Sequence, residues 1–177
     1  MKSIAIRYAI VIFIITVAWT LLEHFLGFNT TRHEIGQYTR QVTAFAYYAT
    51  VVMAIGRVRK DQGKLLTFGQ GMQTGLYCCL TYSVLVTLWF ALYAEVINPQ
   101  FQSTLLAFTR RKMEASFKTP EQIEKVLKME RLSSGGSVAS YLMLFGFMLA
   151  FGLMVSAIAS AIMRKGSRRP SLQRTLA

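Results

Sequence analysis

The sequence predicts an all-α integral membrane protein, a four-helix bundle with an amphipathic helical segment between helices three and four. Three observations carry this. Hydrophobic residues make up 53% of the 177 residues and charged residues only 16%, against about 25% charged in soluble domains. The charges are not diluted evenly but leave four long blocks almost free of them. And the net charge of +12 clusters at the ends of those blocks.

The blocks predict spans at about 6–28, 39–56, 72–97 and 138–163. A helix crossing the hydrocarbon core needs roughly 20 mostly apolar residues. The first, third and fourth blocks meet that length. The second, "VTAFAYYATVVMAIG", is short and needs Thr39 to Gln41, or local thinning of the bilayer, to cross. The blocks are too long and too continuously apolar for barrel strands. Lys2 and Arg7 give the first block a basic start, but no small-x-small site follows it, so it reads as an uncleaved helix.

Charge sets the orientation. With the N-terminus inside, that side holds Lys2, Arg7, Arg57, Arg59, Lys60, Lys64 and the tail residues Arg164, Lys165, Arg168, Arg169 and Arg174, against one acid, Asp61. Short loops rich in Lys and Arg stay cytoplasmic. Both termini are therefore expected inside a bacterial inner membrane, with residues 164–177 as a basic cytoplasmic tail and 98–136 outside. The basic clusters flank helix ends, where topology and anionic lipid explain them, so nucleic acid is not an expected partner.

The link between helices one and two is expected to run about a dozen residues, and "RVRKDQGK" forms a short basic turn before helix three. In 98–136, Phe101, Leu105, Phe108, Met113 and Phe117 recur at near-helical spacing. Thr119, Pro120 and Gln122 write a helix start with a capping box. Ile123, Val126 and Leu127 make one apolar face, and Glu121–Lys125 and Glu124–Lys128 are expected as ion pairs four apart. Two helices follow from this, lying on the membrane surface or on a partner. Asn98-Pro99 ends helix three, and "SSGG" breaks the chain before helix four.

Two sets of residues stand out. Glu23, His24, Glu95 and Asn98 fall near the outer ends of helices one and three. Ionisable groups at membrane depth are costly and often functional. They serve either as interfacial anchors and interhelical hydrogen bonds, or as a polar pocket for a headgroup, a cation or a proton. The second set is Gly69, Gly71 and Gly75 in helix three with Gly152, Ser156 and Ser160 in helix four, small residues that let helices approach within the chain, in a homo-oligomer or against a partner. Tyr8, Trp19, Tyr93 and Tyr141 fit interfacial anchoring, and Trp89 fits packing.

Several chemistries find no support. Adjacent Cys78 and Cys79 make no disulfide framework and read as free and buried. With His24 and His33 as the two histidines, no set has metal-ligand spacing, and no cofactor or catalytic group is expected. "GRVRKDQGK" fails as a phosphate loop, because six residues separate its glycines and Leu65 stands where Ser or Thr is needed.

Taken together, "MKSIAIRYAIVIFIITVAWTLLEHFLGF", "FGQGMQTGL", "YAEVINPQF" and "TPEQIEKVLKME" resemble the domain-of-unknown-function family numbered 4199, small four-helix inner-membrane proteins mainly of Bacteroidota. That resemblance covers nearly the whole chain and brings no catalytic residues with it. It implies genes near a polyprenyl-phosphate-type glycosyltransferase, hence a glycosyltransferase-like membrane partner and a role in envelope glycolipid assembly. The leading expectation is a non-enzymatic accessory or scaffold subunit working through its small-residue helix faces. The other is a small transporter or lipid-handling protein using the outer polar cluster.

Overall fold

A computed structural model describes residues 1–164. They form six α-helices in the order α1 (Lys2–Phe25), α2 (His33–Asp61), α3 (Phe68–Leu92), α4 (Phe101–Ala115), α5 (Pro120–Ser133) and α6 (Val138–Met163), with one π-helical turn, Tyr93–Ile97, continuing α3. Nearly all of the expected basic tail falls on residues 165–177, outside the described residues.

Three of these helices are long and apolar enough to cross a membrane: α1, α3 with its π turn, and α6. The expected fourth, α2, is as long as these, at 29 residues. Only its middle is apolar, because "HEIGQYTR" and "RVRKD" form its two ends. The link before it is therefore residues 26–32 rather than a dozen. Hydropathy sees only the apolar middle of a helix and places its ends too far in.

The long helices are built inside out. On α1 the inward residues are Ala5, Ala9, Ile12 and Thr16, while Val11, Ile14, Ile15 and Leu22 face outward. On α6 the inward residues are Ser140, Gly152, Ser156, Ala159 and Ser160, while Leu142, Phe147, Phe151, Met154, Ile158 and Ile162 face outward. Small residues inside let backbones approach, and large apolar residues outside suit lipid. Helix α3 makes its broadest contact with α6 and also packs on α1 and α2. Tyr47 of α2 stacks on Tyr82 of α3 with centroids 4.2 Å apart, and the Tyr82 hydroxyl lies 3.1 Å from Thr16 Oγ1 of α1. One core cluster thus draws on α1, α2, α3 and α6.

Local sequence sets the helix ends. Thr67 and Gln70 form a capping box at α3, and Thr119 and Gln122 form the expected one at α5, with Pro120 in its first turn. Gly135 and Gly136 take φ of +95° and +81°, which break the chain before α6.

The α4–α5 hairpin sits at one end of the long helices. Part of its apolar surface is covered within the chain: α4 and α5 pack on each other, Phe101 and Leu105 cluster with Tyr93, Trp89 and Phe90, and Ile123 and Leu127 are buried. Phe117, Met129 and Leu132 of the same hairpin remain exposed. Phe117 does not continue the α4 stripe. The helix stops at Ala115, and Phe117 is 97% exposed with φ +55°. The expected pairs Glu121–Lys125 and Glu124–Lys128 are not among the ion pairs of the described residues; Glu124 instead reaches across the hairpin to Arg110 at 3.1 Å. Both partners are well exposed, so the bridge stabilises little.

Candidate functional site

At the hairpin end, a chain of buried polar groups crosses from α1 to α3. Glu23, on the last turn of α1, is 3% exposed. Its Oε1 accepts from Trp19 Nε1 at 3.0 Å, one helical turn back, and its Oε2 accepts from Asn29 Nδ2 at 3.3 Å. Trp19 Nε1 also reaches Thr39 O of α2 at 3.2 Å. Asn29 is held in the α1–α2 link, where Gly27 at φ +78° collects the amides of Thr30, Thr31 and Arg32 on its carbonyl.

The π turn supplies the other half. Asn98 N donates to Tyr93 O at 2.7 Å, closing a wide turn just before Pro99. Such turns gather at functional sites. This one brings the buried Asn98 under both neighbours: Nδ2 donates to Asn29 O at 2.9 Å and to Tyr93 OH at 3.1 Å. With Tyr93 OH accepting there, its own proton is free for His24 Nδ1, 3.1 Å away.

Of the sequence-predicted polar residues, Glu23, His24 and Asn98 are thus brought into one network. Glu95 is not. It is exposed and accepts from Tyr141 OH of α6 at 2.6 Å. A carboxylate on this widened turn points away from the network, a shift of side that α-helical counting over 72–97 cannot foresee.

Below this network lies a cavity of about 190 Å³ between α1, α2, α3 and α6, roofed by Phe101 and Ser133 of the hairpin. One wall is polar: Glu23, Asn29 and Arg40, with the hydroxyls of Thr16, Thr20 and Thr43. The aromatic and aliphatic lining comes from α3 and α6: Trp89, Phe90, Val86, Leu144 and Met148. Two groups beside it lack partners. Asn29 is 2% exposed and its Oδ1 has no hydrogen bond, and neither has Trp89 Nε1. An orphaned buried polar atom costs about 1–3 kcal/mol. Arg40 donates from Nε to Gly36 O at 2.9 Å and sets its guanidinium 5.6 Å from the centre of the Phe101 ring. The ion pairs among the described residues are Arg57–Asp61 and Arg110–Glu124. Arg40 and Glu23 therefore face one cavity without pairing.

A larger groove of about 660 Å³ opens between the α1–α2 link and α4, beside His33, Glu34, Arg111 and Lys112. Lys112 already donates to Gln37 Oε1 at 2.6 Å. His33 Nε2 lies 3.0 Å from Thr104 Oγ1. Burial first, and then Arg40, lower the His33 pKa from its usual 6.5.

Sequence reasoning missed Asn29 and Arg40, and misplaced Tyr93, while Trp89 packs as expected against Tyr93 and Phe101. Tyr93 is 1% exposed and hydrogen-bonded in the network, not an interfacial anchor. Trp19 is tied to Glu23, and Trp89 lines the cavity. The Trp19–Glu23 spacing of four was the one local signal available.

The small residues lie in the helix seams. A Cβ on Gly71 would overlap Ser160, one on Gly75 would overlap Ser156, and one on Gly152 would overlap Tyr47 and Cys79. Gly69 faces open space. Among the described residues, no group of three His, Cys, Asp or Glu side chains gathers at one point.

The described residues thus define an all-helical protein with three helices long and apolar enough to cross a membrane, packed over a buried polar cavity. Residues 7–165 match the family described as protein of unknown function (DUF4199), and the chain belongs to that family. No curated protein and no solved structure matches it.

Proposed function

We propose that this is a four-crossing membrane protein that holds the polar end of a membrane amphiphile in the cavity between its long helices, and that it acts by binding rather than by chemistry. The observation that carries this is the cavity itself: buried Glu23 and Asn29 with Arg40 from α1, α2 and their link, apolar Val86, Leu144 and Met148 from α3 and α6. An amphiphile has that division of character, and pockets for small ligands combine mostly apolar walls with a few placed polar groups. In this reading α2 is the fourth crossing, aided by its neighbours. Both termini lie on the side of the basic "RVRKDQGK" turn, the cytoplasmic face of an inner membrane.

A scaffold role would use faces other than those of Gly71 and Gly75. The faces of Gly71 and Gly75 are filled by Ser160 and Ser156 of the same chain. A docking role for a glycosyltransferase-type partner rests instead on Phe117, projecting at the hairpin corner.

The test is retention of lipid. The protein is stripped with mild detergent, and bound lipid is counted by mass spectrometry in wild type and in Ala44→Phe, which fills the cavity. Wild type is expected to keep roughly one lipid per chain and the folded variant to keep none. Equal retention by both would defeat the reading.

A further inference from the structure

We infer that the cavity is built for a zwitterionic phospholipid headgroup, an amine joined to a phosphodiester, rather than for an anionic one. This rests on the lipid-binding reading above.

The inference comes from charge and from the unpaired groups. The cavity wall holds one carboxylate, Glu23, and one guanidinium, Arg40, which lie within electrostatic range but form no ion pair, while Glu130, outside the wall, also acts on Arg40. The wall is thus formally neutral but divided. A ligand that leaves neither charge uncompensated must carry both signs, since a buried charge without a partner is costly. A plain anion satisfies Arg40 and confronts Glu23. A plain cation does the reverse.

Beside Glu23, Asn29 Oδ1 is a buried acceptor with no donor. A carboxylate has room for about four hydrogen bonds, and Glu23 accepts from Trp19 and Asn29 only. An ammonium, with three donors, fits acceptors of this kind. Arg40 supplies donors for phosphate oxygens, because Nε alone is committed, to Gly36 O. The acyl chains would follow Val86, Leu144 and Met148.

The test uses delipidated full-length protein in a maltoside detergent, titrated with dihexanoyl phosphatidylethanolamine and, separately, dihexanoyl phosphatidylglycerol. The two tryptophans, Trp19 and Trp89, report through their emission. We expect the ethanolamine lipid to bind about tenfold tighter or better. Glu23→Gln should abolish or reverse that preference, and Arg40→Gln should weaken both lipids while the melting temperature confirms folding. If both lipids bind equally well, or the preference survives Glu23→Gln in folded protein, the headgroup assignment is wrong but lipid binding stands. If neither lipid moves the emission, both the assignment and the binding reading fall.

Discussion

Gly75 on α3 lies against Ser156 on α6 so closely that a Cβ on the glycine would overlap the serine side chain. Gly71 and Ser160 repeat the contact one turn away. Helix α3 makes its broadest contact with α6 through this seam, so added volume there has nowhere to go.

Gly75→Ala should therefore destabilise the folded chain by about 1–3 kcal/mol, the usual cost of overpacking. Gly69→Ala, which faces open space, should change stability little, and by helix propensity should gain slightly. Thermal unfolding in detergent compares them. Equal melting temperatures for the two variants would contradict the seam.

Asn98 ties the α1–α2 link to the π turn through a single side-chain nitrogen. Asn98→Ala leaves Asn29 O without that donor in a buried setting, and should cost about 1–3 kcal/mol. Asn98→Asp should cost at least as much, because an ionised carboxylate can only accept. A melting temperature unchanged in both variants would show that the link is not held this way.

His33 predicts a pH dependence. Its folded pKa lies below the usual 6.5, from burial first and then Arg40. The unfolded chain therefore binds the proton more readily than the folded one. The associated stability is present above pH 6.5 and is lost as pH falls toward the folded pKa. Wild type should melt at lower temperature as the buffer is taken from neutral into the acid range. His33→Gln should flatten that slope. A slope identical in both would assign it to other groups.

Glu95 and Glu23 should behave differently although both are acids at the hairpin end. Glu95 is exposed on Tyr141, whereas Glu23 lines the cavity. Glu95→Gln should leave lipid retention unchanged, and Glu23→Gln should alter it. The same mass-spectrometric count serves both variants, and loss of lipid in Glu95→Gln would extend the site beyond the cavity.

The helices were legible because each announces itself locally: uncharged runs for α1, α3 and α6, a capping box at Thr119 and Gln122 for α5. The ends of α2 were not, since "HEIGQYTR" is polar and continues as helix without any apolar marker. Glu23, His24 and Asn98 could be picked out as polar residues in apolar stretches. Asn29 could not, because in sequence it looks like an ordinary loop residue, and Arg40 could not, because at the polar start of the second span it reads as a helix-end charge; only the short α1–α2 link brings both under the hairpin. Glu95 misled because the π turn rotates the last residues of the helix, a change of phase that hydropathy does not record.

The most direct measurement is a crystal structure with a phospholipid brominated on its acyl chains, read by the anomalous signal of bromine. The account predicts a bromine peak inside the bundle against Leu144 and Met148, with density for a headgroup between Glu23 and Arg40. Bromine confined to the outer faces of α1, α3 and α6, with water alone in the cavity, would contradict it.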